Sequence, residues 1–516
     1  MKKIALYLII VISSSLYYSC SKEVISINDT YSALEPIFAD TIAQNWNPVL
    51  LKAPNEFPLD APSTITSPDY LAELNEISGW QSNLTNKQLE IIDYWKAGGV
   101  LRWNEILREL VAKYNIPPYQ NPDGTYPVPN AANPFAYPEF PFANPPYAAR
   151  AYAYITAAQY DALIASSYYK NLYKRKSPGK ISSNIRLLVP ASQVSDYAYP
   201  SDEAVIAGVT TEILKLLFPT EIAYVQQKAY EHKLSRLISG ASTRSDLDAG
   251  EKLGKLVASK FIARARGDRA GQAGGNQALW SNLEQQCIAK GETPWLSQES
   301  PLRPPMLPRF GVVKGFIIDS LGVISGRPVA PPSTNSEDFK KQVAEVLWHS
   351  QHSTAEKYKL VDFWADGAGT YTPPGHWNAI ACNAFLDQNL SEVKWARNLA
   401  LLNMALMDAA ICCWDVKFLY YTPRPSQVDP RIKTLTGLPN FPSFPSGHST
   451  FSGAAAVILS HLVPSMADKF NKYADEASAS RMYGGIHYRM DCEVGLAMGR
   501  AIGEKTVAKA IADGAE

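Results

Sequence analysis

The chain has little histidine, little cysteine and no excess of charge. Only seven of its 516 residues are histidine, so any ligating or proton-transferring imidazole comes from a short roster. Six residues are cysteine. Cys20 ends a leader segment, while Cys287, Cys382, Cys412, Cys413 and Cys492 are odd in number and lack metal-ligand spacing. That pattern argues against a disulfide framework and leaves one isolated bridge open. Cys412 and Cys413 lie in an apolar stretch and read as buried thiols. Lys and Arg total 49, as do Asp and Glu, so no bulk field draws nucleic acid or an acidic membrane surface and any anion site must be local. Strand-like alternation with hairpin turns is scarce, whereas helical periodicity dominates from about Thr85 onward, which predicts an all-α fold. A chain this long is expected to form two domains or one large double unit.

The N-terminus, MKKIALYLIIVISSSLYYSC, carries two lysines, an apolar run over residues 4–12, then small and polar residues up to Cys20. The run is too short to span a bilayer and reads as a secretory signal, 1–20. Cys20 after Leu-Tyr-Tyr-Ser resembles a bacterial lipoprotein cleavage site, although Tyr17 and Tyr18 depart from its usual small residues. An ordinary signal peptide is the alternative. The expectation is an exported protein of a bacterial cell envelope, lipid-anchored in the periplasm or at the outer membrane and touching the membrane only through that anchor. Residues 21–85 lack a motif and read as a tether and packing arm. Residues 271–335, Pro-rich between 293 and 334, read as an ordered crossover.

The remainder repeats itself. "DYWKAGGVLRWNEI" from Asp93 recurs loosely as "DFWADGAGTYTPPGHWNAI" from Asp362, and Asp161 precedes Lys170 by the same interval as Asp408 precedes Lys417. "YPSDEAVIAGVTTEILKLLFP" parallels "FPSGHSTFSGAAAVILSHLVP" at an offset of 245 residues, which also carries Ser201 onto Ser446, Ser235-Arg236 onto Ser480-Arg481 and Asp246 onto Asp491. Two tandem related helical bundles are therefore expected, 86–270 and 336–516. They differ where chemistry would sit: Gly447, His448, His487 and Arg424 face Asp202, Glu203, Ser242 and Ser177 in the first copy. An acidic pair there would repel an anion, so the first copy is expected to be structural.

Three segments of the second copy form one constellation. Lys417 and Arg424-Pro425 (KFLYYTPRP) lie where Pro423 and Pro425 end a helix. Ser446-Gly447-His448 lies in a loop feeding the apolar helix 452–463, with Ser446 or Ser449 as its natural N-cap. Ser480-Arg481 is followed by His487 and Asp491. A helix start offers unpaired N–H groups to an oxyanion. Arg424 and Arg481 supply planar bidentate donors, Lys417 a point charge, and Ser446 and the Gly447 amide contacts to equatorial oxygens. His487 would face the central atom if its other ring nitrogen donates to Asp491, leaving His448 as acid or base at the opposite apical oxygen.

Lys-x6-Arg-Pro, Pro-Ser-Gly-His and Ser-Arg-x5-His-x3-Asp together resemble the signature of the type 2 phosphatidic acid phosphatases and the vanadium-dependent haloperoxidases. The match covers about the last hundred residues. It implies a helical bundle whose pocket takes vanadate or, equally, phosphate. In the haloperoxidase version His487 is the axial ligand of vanadate, with Lys417, Arg424, Ser446, Gly447 and Arg481 around the cofactor. His448 assists peroxide deprotonation, and hydrogen peroxide and halide are the substrates. In the phosphatase version His487 attacks the phosphorus of a phosphomonoester and His448 protonates the leaving oxygen.

The duplicated body resembles two-bundle haloperoxidases, as do Phe441 five residues before Ser446 and the segments "FWADGAGTYTPPGHWNAI" and "PPMLPRFGVV". Haloperoxidase-like activity is accordingly the first expectation and acid phosphatase activity the second. A non-catalytic phosphate-binding lipoprotein is a third reading, which the retained His448 disfavours. The next histidine after His448 is His461, which disfavours a bromoperoxidase-like pocket with an adjacent extra histidine. His376, in PPGHW, reads as a loop anchor.

Overall fold

Capping residues and prolines cut the chain into helices where the sequence signals them. The computed structural model describes residues 31–116, 144–299 and 302–515; residues 1–20, read above as a signal ending at Cys20, lie outside the described residues. The architecture is all helical, with no strand among the described residues. The first unit comprises α1 (Pro68–Ser82), α2 (Asn86–Trp95), α3 (Gly99–Tyr114), α4 (Pro145–Tyr173), α5 (Pro178–Ile181), α6 (Asp202–Leu217), α7 (Ile222–Ile238) and α8 (Arg244–Arg266). A connection carrying α9 (Gln277–Ala289) and α10 (Ser320–Ser325) follows. The second unit comprises α11 (Glu337–Gln351), α12 (Ala355–Phe363), α13 (Thr372–Leu386), α14 (Glu392–Tyr420), α15 (Pro425–Val428), α16 (Gly447–Leu462), α17 (Ala467–Tyr483) and α18 (Arg489–Ile511).

The units correspond helix for helix, α1 to α8 with α11 to α18. Helix α1 falls inside the segment read as a tether and arm. Its start is marked by Ser67, whose side chain accepts from the Tyr70 amide, and by Pro68 at the first turn. Weak amphipathicity, with Gly79 inside the helix, hid it from a periodicity reading. The crossover likewise contains a thirteen-residue helix, α9.

Packing repeats as well. Helices α6 and α8 pair, as do α16 and α18, while α4 and α14 pack on each other and join the units. Close approach is set by glycine: a Cβ on Gly250 would lie 2.5 Å from Ser201 O, and one on Gly495 would lie 2.7 Å from Ser446 O. Each long central helix buries an aspartate that collects three backbone amides. Asp161 accepts from Val49, Leu50 and Leu51 at 2.5, 2.7 and 2.9 Å. Asp408 accepts from Phe316, Ile317 and Ile318 at 2.8, 2.8 and 2.6 Å. The N-terminal arm and the crossover thus dock by the same device. Arg150 pairs with Asp268 and Arg397 with Asp513, at 2.7 and 2.6 Å. One continuous apolar core runs through both units. Helix α14 is long and apolar enough to cross a membrane, yet 94% of its most apolar stretch is buried within the protein.

Candidate functional site

Helix α14 stops at Tyr421, whose φ of 54° is left-handed, and Pro423 and Pro425 prevent its continuation. This turn sets Lys417 in the last turn of α14 and Arg424 at the N-cap of α15. The loop 441–446 then crosses back to the start of α16. Ser446 caps that helix: its Oγ accepts from the Ser449 amide at 3.3 Å. Beyond α17 the chain turns at Gly485, with φ of 74°, and delivers His487 just ahead of α18. Asp491 sits in the first turn of α18, where its Oδ2 accepts from the Tyr488 amide at 3.1 Å and pairs with His487 Nδ1 at 2.9 Å. The His487–Asp491 spacing is therefore a helix-start arrangement, in which one carboxylate both caps α18 and holds the imidazole.

The three segments converge, and Lys417, Arg424, Ser446, Arg481, His487 and Asp491 are all buried. Lys417 Nζ donates to the carbonyls of Pro442 and Ser443 at 2.9 Å each, and also to Pro445. A buried ammonium must satisfy three N–H groups, and the loop takes all three. Lys417 thus fixes the loop from behind instead of lining the pocket. Arg424 is not free to bind bidentately either. Its Nε donates to Phe441 O at 3.0 Å, and its Nη1 donates to Ile486 O at 2.7 Å and lies 3.0 Å from His487 Nε2. Its Nη2 is buried without a partner. Arg481 is held by Ser480 Oγ at 2.9 Å and Val361 O at 3.1 Å.

Gly447, His448, Arg481 and His487 line a cavity of about 320 Å³, together with Trp414, Phe441 and Phe451. A Cβ at Gly447 would approach Trp414 no closer than 3.7 Å, so packing does not demand glycine there. What glycine preserves is open access to the first turn of α16. The Phe441 ring covers both inner cations, with Lys417 Nζ 4.9 Å and Arg424 Cζ 5.0 Å from its centroid.

Burial sets the ionisation. It lowers Lys417 to about 7 and Arg424 and Arg481 to about 10. His448 falls well below the ordinary imidazole value, first through burial and then through Arg481 and His376. His487 falls likewise, through burial, Arg424 and Lys417. Asp491 is raised to about 6 by burial, against the opposing hydrogen bonds of Ser443 and Tyr488. Both imidazoles are thus neutral near pH 7. A neutral His487 donates Nδ1–H to Asp491 and presents the Nε2 lone pair on the side where Arg424 lies.

The donor set fits an oxyanion. Arg424 Nη2 is a buried polar atom without a partner, and no described carboxylate stands within ion-pair distance of Lys417, Arg424 or Arg481. An oxyanion beside these cations would offset their desolvation and raise Lys417 again. Among the described residues no cluster of three or more His, Cys, Asp or Glu is arranged to hold a bare metal cation.

Two participants escape the motifs. Ser443 Oγ donates to Asp491 Oδ2 at 2.5 Å, braced by the same loop that Lys417 holds. Asp366 lies between His376 and His448, with Oδ1 3.0 Å from His376 Nδ1 and Oδ2 3.7 Å from His448 Nε2. Comparing the copies supplies the missing signal, because the residue two after the shared tryptophan, Trp95 or Trp364, is Ala97 in one and Asp366 in the other. His376 does anchor a loop, and it also enters this site's surroundings.

Residues 398–508, from within α14 to within α18, match the family model of the PAP2 superfamily. This segment is similar to the domains of that superfamily. The fold as a whole is haloperoxidase-like. It is similar to the crystal structure of a bacterial vanadium-dependent iodoperoxidase, with a TM-score of 0.55 and 24% identity over 71% of this chain and 91% of that one. It is also similar to a holo-type bacterial vanadium-dependent chloroperoxidase, with a TM-score of 0.51 and 12% identity over 70% of this chain and 91% of that one. No curated protein sequence matches the chain.

Proposed function

We propose that this protein is a vanadium-dependent haloperoxidase-like enzyme that oxidises halide with hydrogen peroxide. The observation that carries the reading is the state of His487: Asp491 fixes its tautomer through Nδ1, and Nε2 lies beside Arg424, whose Nη2 is unspent. Vanadate held there would supply a Lewis-acidic centre that activates peroxide toward halide. His487 would be its protein ligand. Arg424, Arg481 and the amides at the start of α16 would hold its oxygens, with Lys417 keeping the loop in place. His448, neutral through burial and the nearby Arg481, suits a base that accepts a proton from peroxide. We place this activity in the cell envelope, on the strength of the leader sequence alone.

The PAP2 match favours a second reading, phosphomonoester hydrolysis by the same residues. There His487 would attack phosphorus, and His448 would have to arrive protonated to release the leaving oxygen. The haloperoxidase-like fold over most of the chain makes that the second reading.

The test divides phosphate-free protein into vanadate-loaded and untreated samples and assays both reactions. Bromide or iodide oxidation that requires vanadate, and that is lost in His448→Ala, supports the peroxidase. Hydrolysis that vanadate inhibits, without halide oxidation, overturns it in favour of the phosphatase.

A further inference from the structure

The cavity that Gly447, His448, Arg481 and His487 line is larger than peroxide and halide require. Its volume is about 320 Å³. A water molecule in the liquid takes about 30 Å³, and sites for organic ligands begin near about 300 Å³. Much of the wall comes from the connection between the units, which carries none of the motif residues. Trp280 of α9 and Pro304, Pro305, Met306 and Leu307 line it, with Leu438 and Pro439 from the loop ahead of α16. This wall is held in place by hydrogen bonds: Met306 N donates to Asn440 O at 2.9 Å, Asn440 Nδ2 to Pro304 O at 2.5 Å and Trp414 Nε1 to Met306 O at 3.1 Å. Trp280 Nε1 donates to Gly274 O at 2.9 Å. A preformed apolar wall binds a ring with little ordering cost.

The connection also brings one ion pair to the cavity. Arg303 Nη2 pairs with Glu299 Oε1 at 2.8 Å, and the Arg303 side chain is only 13% exposed. Its Nε is buried and has no hydrogen-bond partner. A buried N–H without an acceptor is destabilising, and an oxygen entering the cavity would relieve it.

We propose that this cavity binds a one- or two-ring phenol, and that Arg303 and Trp280 determine the specificity for its halogenation. The ring lies against Trp280 and the prolines, and the phenol oxygen accepts from Arg303 Nε–H. A carboxylate fits less well, because it would set a second full negative charge beside Glu299. A hydrocarbon would leave the donor unpaired. Hydrogen bonding to Arg303 favours the phenolate, whose ring carbons are the more reactive toward an electrophilic halogen. In the balanced reaction one phenol, one halide, one hydrogen peroxide and one proton give one halophenol and two waters. The O–O bond breaks as peroxide is reduced by two electrons, the carbon–halogen bond forms, and the ring C–H proton passes to water. This chemistry rests on the halide-oxidising reading above, whereas the binding of the phenol does not.

The test titrates full-length protein with 1-naphthol and with naphthalene by calorimetry, as wild type, Arg303→Met and Trp280→Ala, and then brominates 1-naphthol with the vanadate-loaded proteins. The wild type is expected to bind 1-naphthol about 10-fold to 100-fold more tightly than naphthalene. Arg303→Met should erase that difference, and Trp280→Ala should weaken both ligands by a similar factor of about 10. The wild type should brominate at positions 2 and 4 in a ratio unlike that given by hypobromous acid without protein, and Arg303→Met should move toward the protein-free ratio. Equal affinity of the wild type for the two ligands, no binding of either, or the protein-free isomer ratio from the loaded wild type would overturn the proposal. Preferential binding of 1-naphthol by a protein that oxidises no halide would remove the functional reading and keep the phenol site. Halide oxidation without 1-naphthol binding would do the reverse.

Discussion

The two units share a scaffold and differ in what neutralises the cations inside it. In the first, Lys170 pairs with Asp202 at 3.1 Å and Arg236 with Glu203 at 2.9 Å, so the protein supplies its own anions. In the second, the same positions hold Gly447 and His448, and the corresponding Lys417 and Arg481 have no carboxylate at ion-pair distance among the described residues. An anion site is made here chiefly by withholding carboxylates from a fold that can otherwise saturate itself. The first unit keeps a cavity at its version of the site, lined by Asp202, Glu203, Arg236 and Glu392, but its arginine is already paired with a carboxylate.

That contrast is tested hardest at position 487. His487→Ala should abolish turnover, a loss of about 10⁴-fold or more, whereas Ser242→Ala at the equivalent place should leave kcat per folded molecule unchanged. Substantial activity in His487→Ala would remove it from the mechanism. The arginines should separate differently. Arg481→Ala is expected to weaken orthovanadate binding by about 3–4 kcal/mol, the scale of one lost oxyanion donor, with a modest change in melting temperature. Arg236→Ala strands the buried Glu203 and should instead cost about 3–5 kcal/mol of stability, read by urea titration, with vanadate affinity retained. Loss of vanadate binding in a folded Arg236→Ala protein would show that the first unit is not merely structural.

How much of this the sequence carried follows from the kind of signal. Motif residues at fixed spacing, such as Arg424, Ser446 to His448 and Arg481 to Asp491, were legible because each lies at a helix end that prolines, glycines or caps mark. The division of labour among the cations was not. Whether Lys417 points into a cavity or into three carbonyls depends on the path of loop 442–445, which no spacing encodes. Asp366 was hidden for another reason: it reaches His448 across 82 positions of sequence and belongs to a loop rather than a periodic helix. The repeat was legible from offset alone, yet its true start at α1 was not, since Pro68–Ser82 carries no strong apolar stripe.

Where the units agree, matched substitutions should give matched effects. Asp161 and Asp408 are both raised to about 6 by burial, against the pull of three amides each. Each folded-state value lies above the ordinary carboxyl value of 3.8, so the folded chain binds these protons more tightly than the unfolded one. Their contribution to stability is therefore full below pH 3.8 and is lost as pH rises toward 6. Asp161→Asn and Asp408→Asn should each remove part of that slope, and each should cost about 1–3 kcal/mol at pH 7 by leaving an amide unpaired. Clearly unequal costs would mean that the arm and the crossover are not held alike.

The smallest effect is expected where the units differ only in packing. Cys412 and Cys413 occupy the places of Ala165 and Ser166, and all five described cysteines are free and buried. Burial pushes the thiols of Cys382 and Cys492 up to about 11 and about 12, so they stay protonated and unreactive at neutral pH. Exchanging Cys412 for the residue the first unit uses, Cys412→Ala, removes one sulfur atom from a site whose backbone already tolerates alanine in the other copy. The cost should be about 1 kcal/mol or less, with kcat unchanged and no effect of reductant on the melting temperature. A reductant-sensitive melt would reveal a bridge among thiols that are free in the fold, and a large loss of activity would show that Cys412 does more than pack.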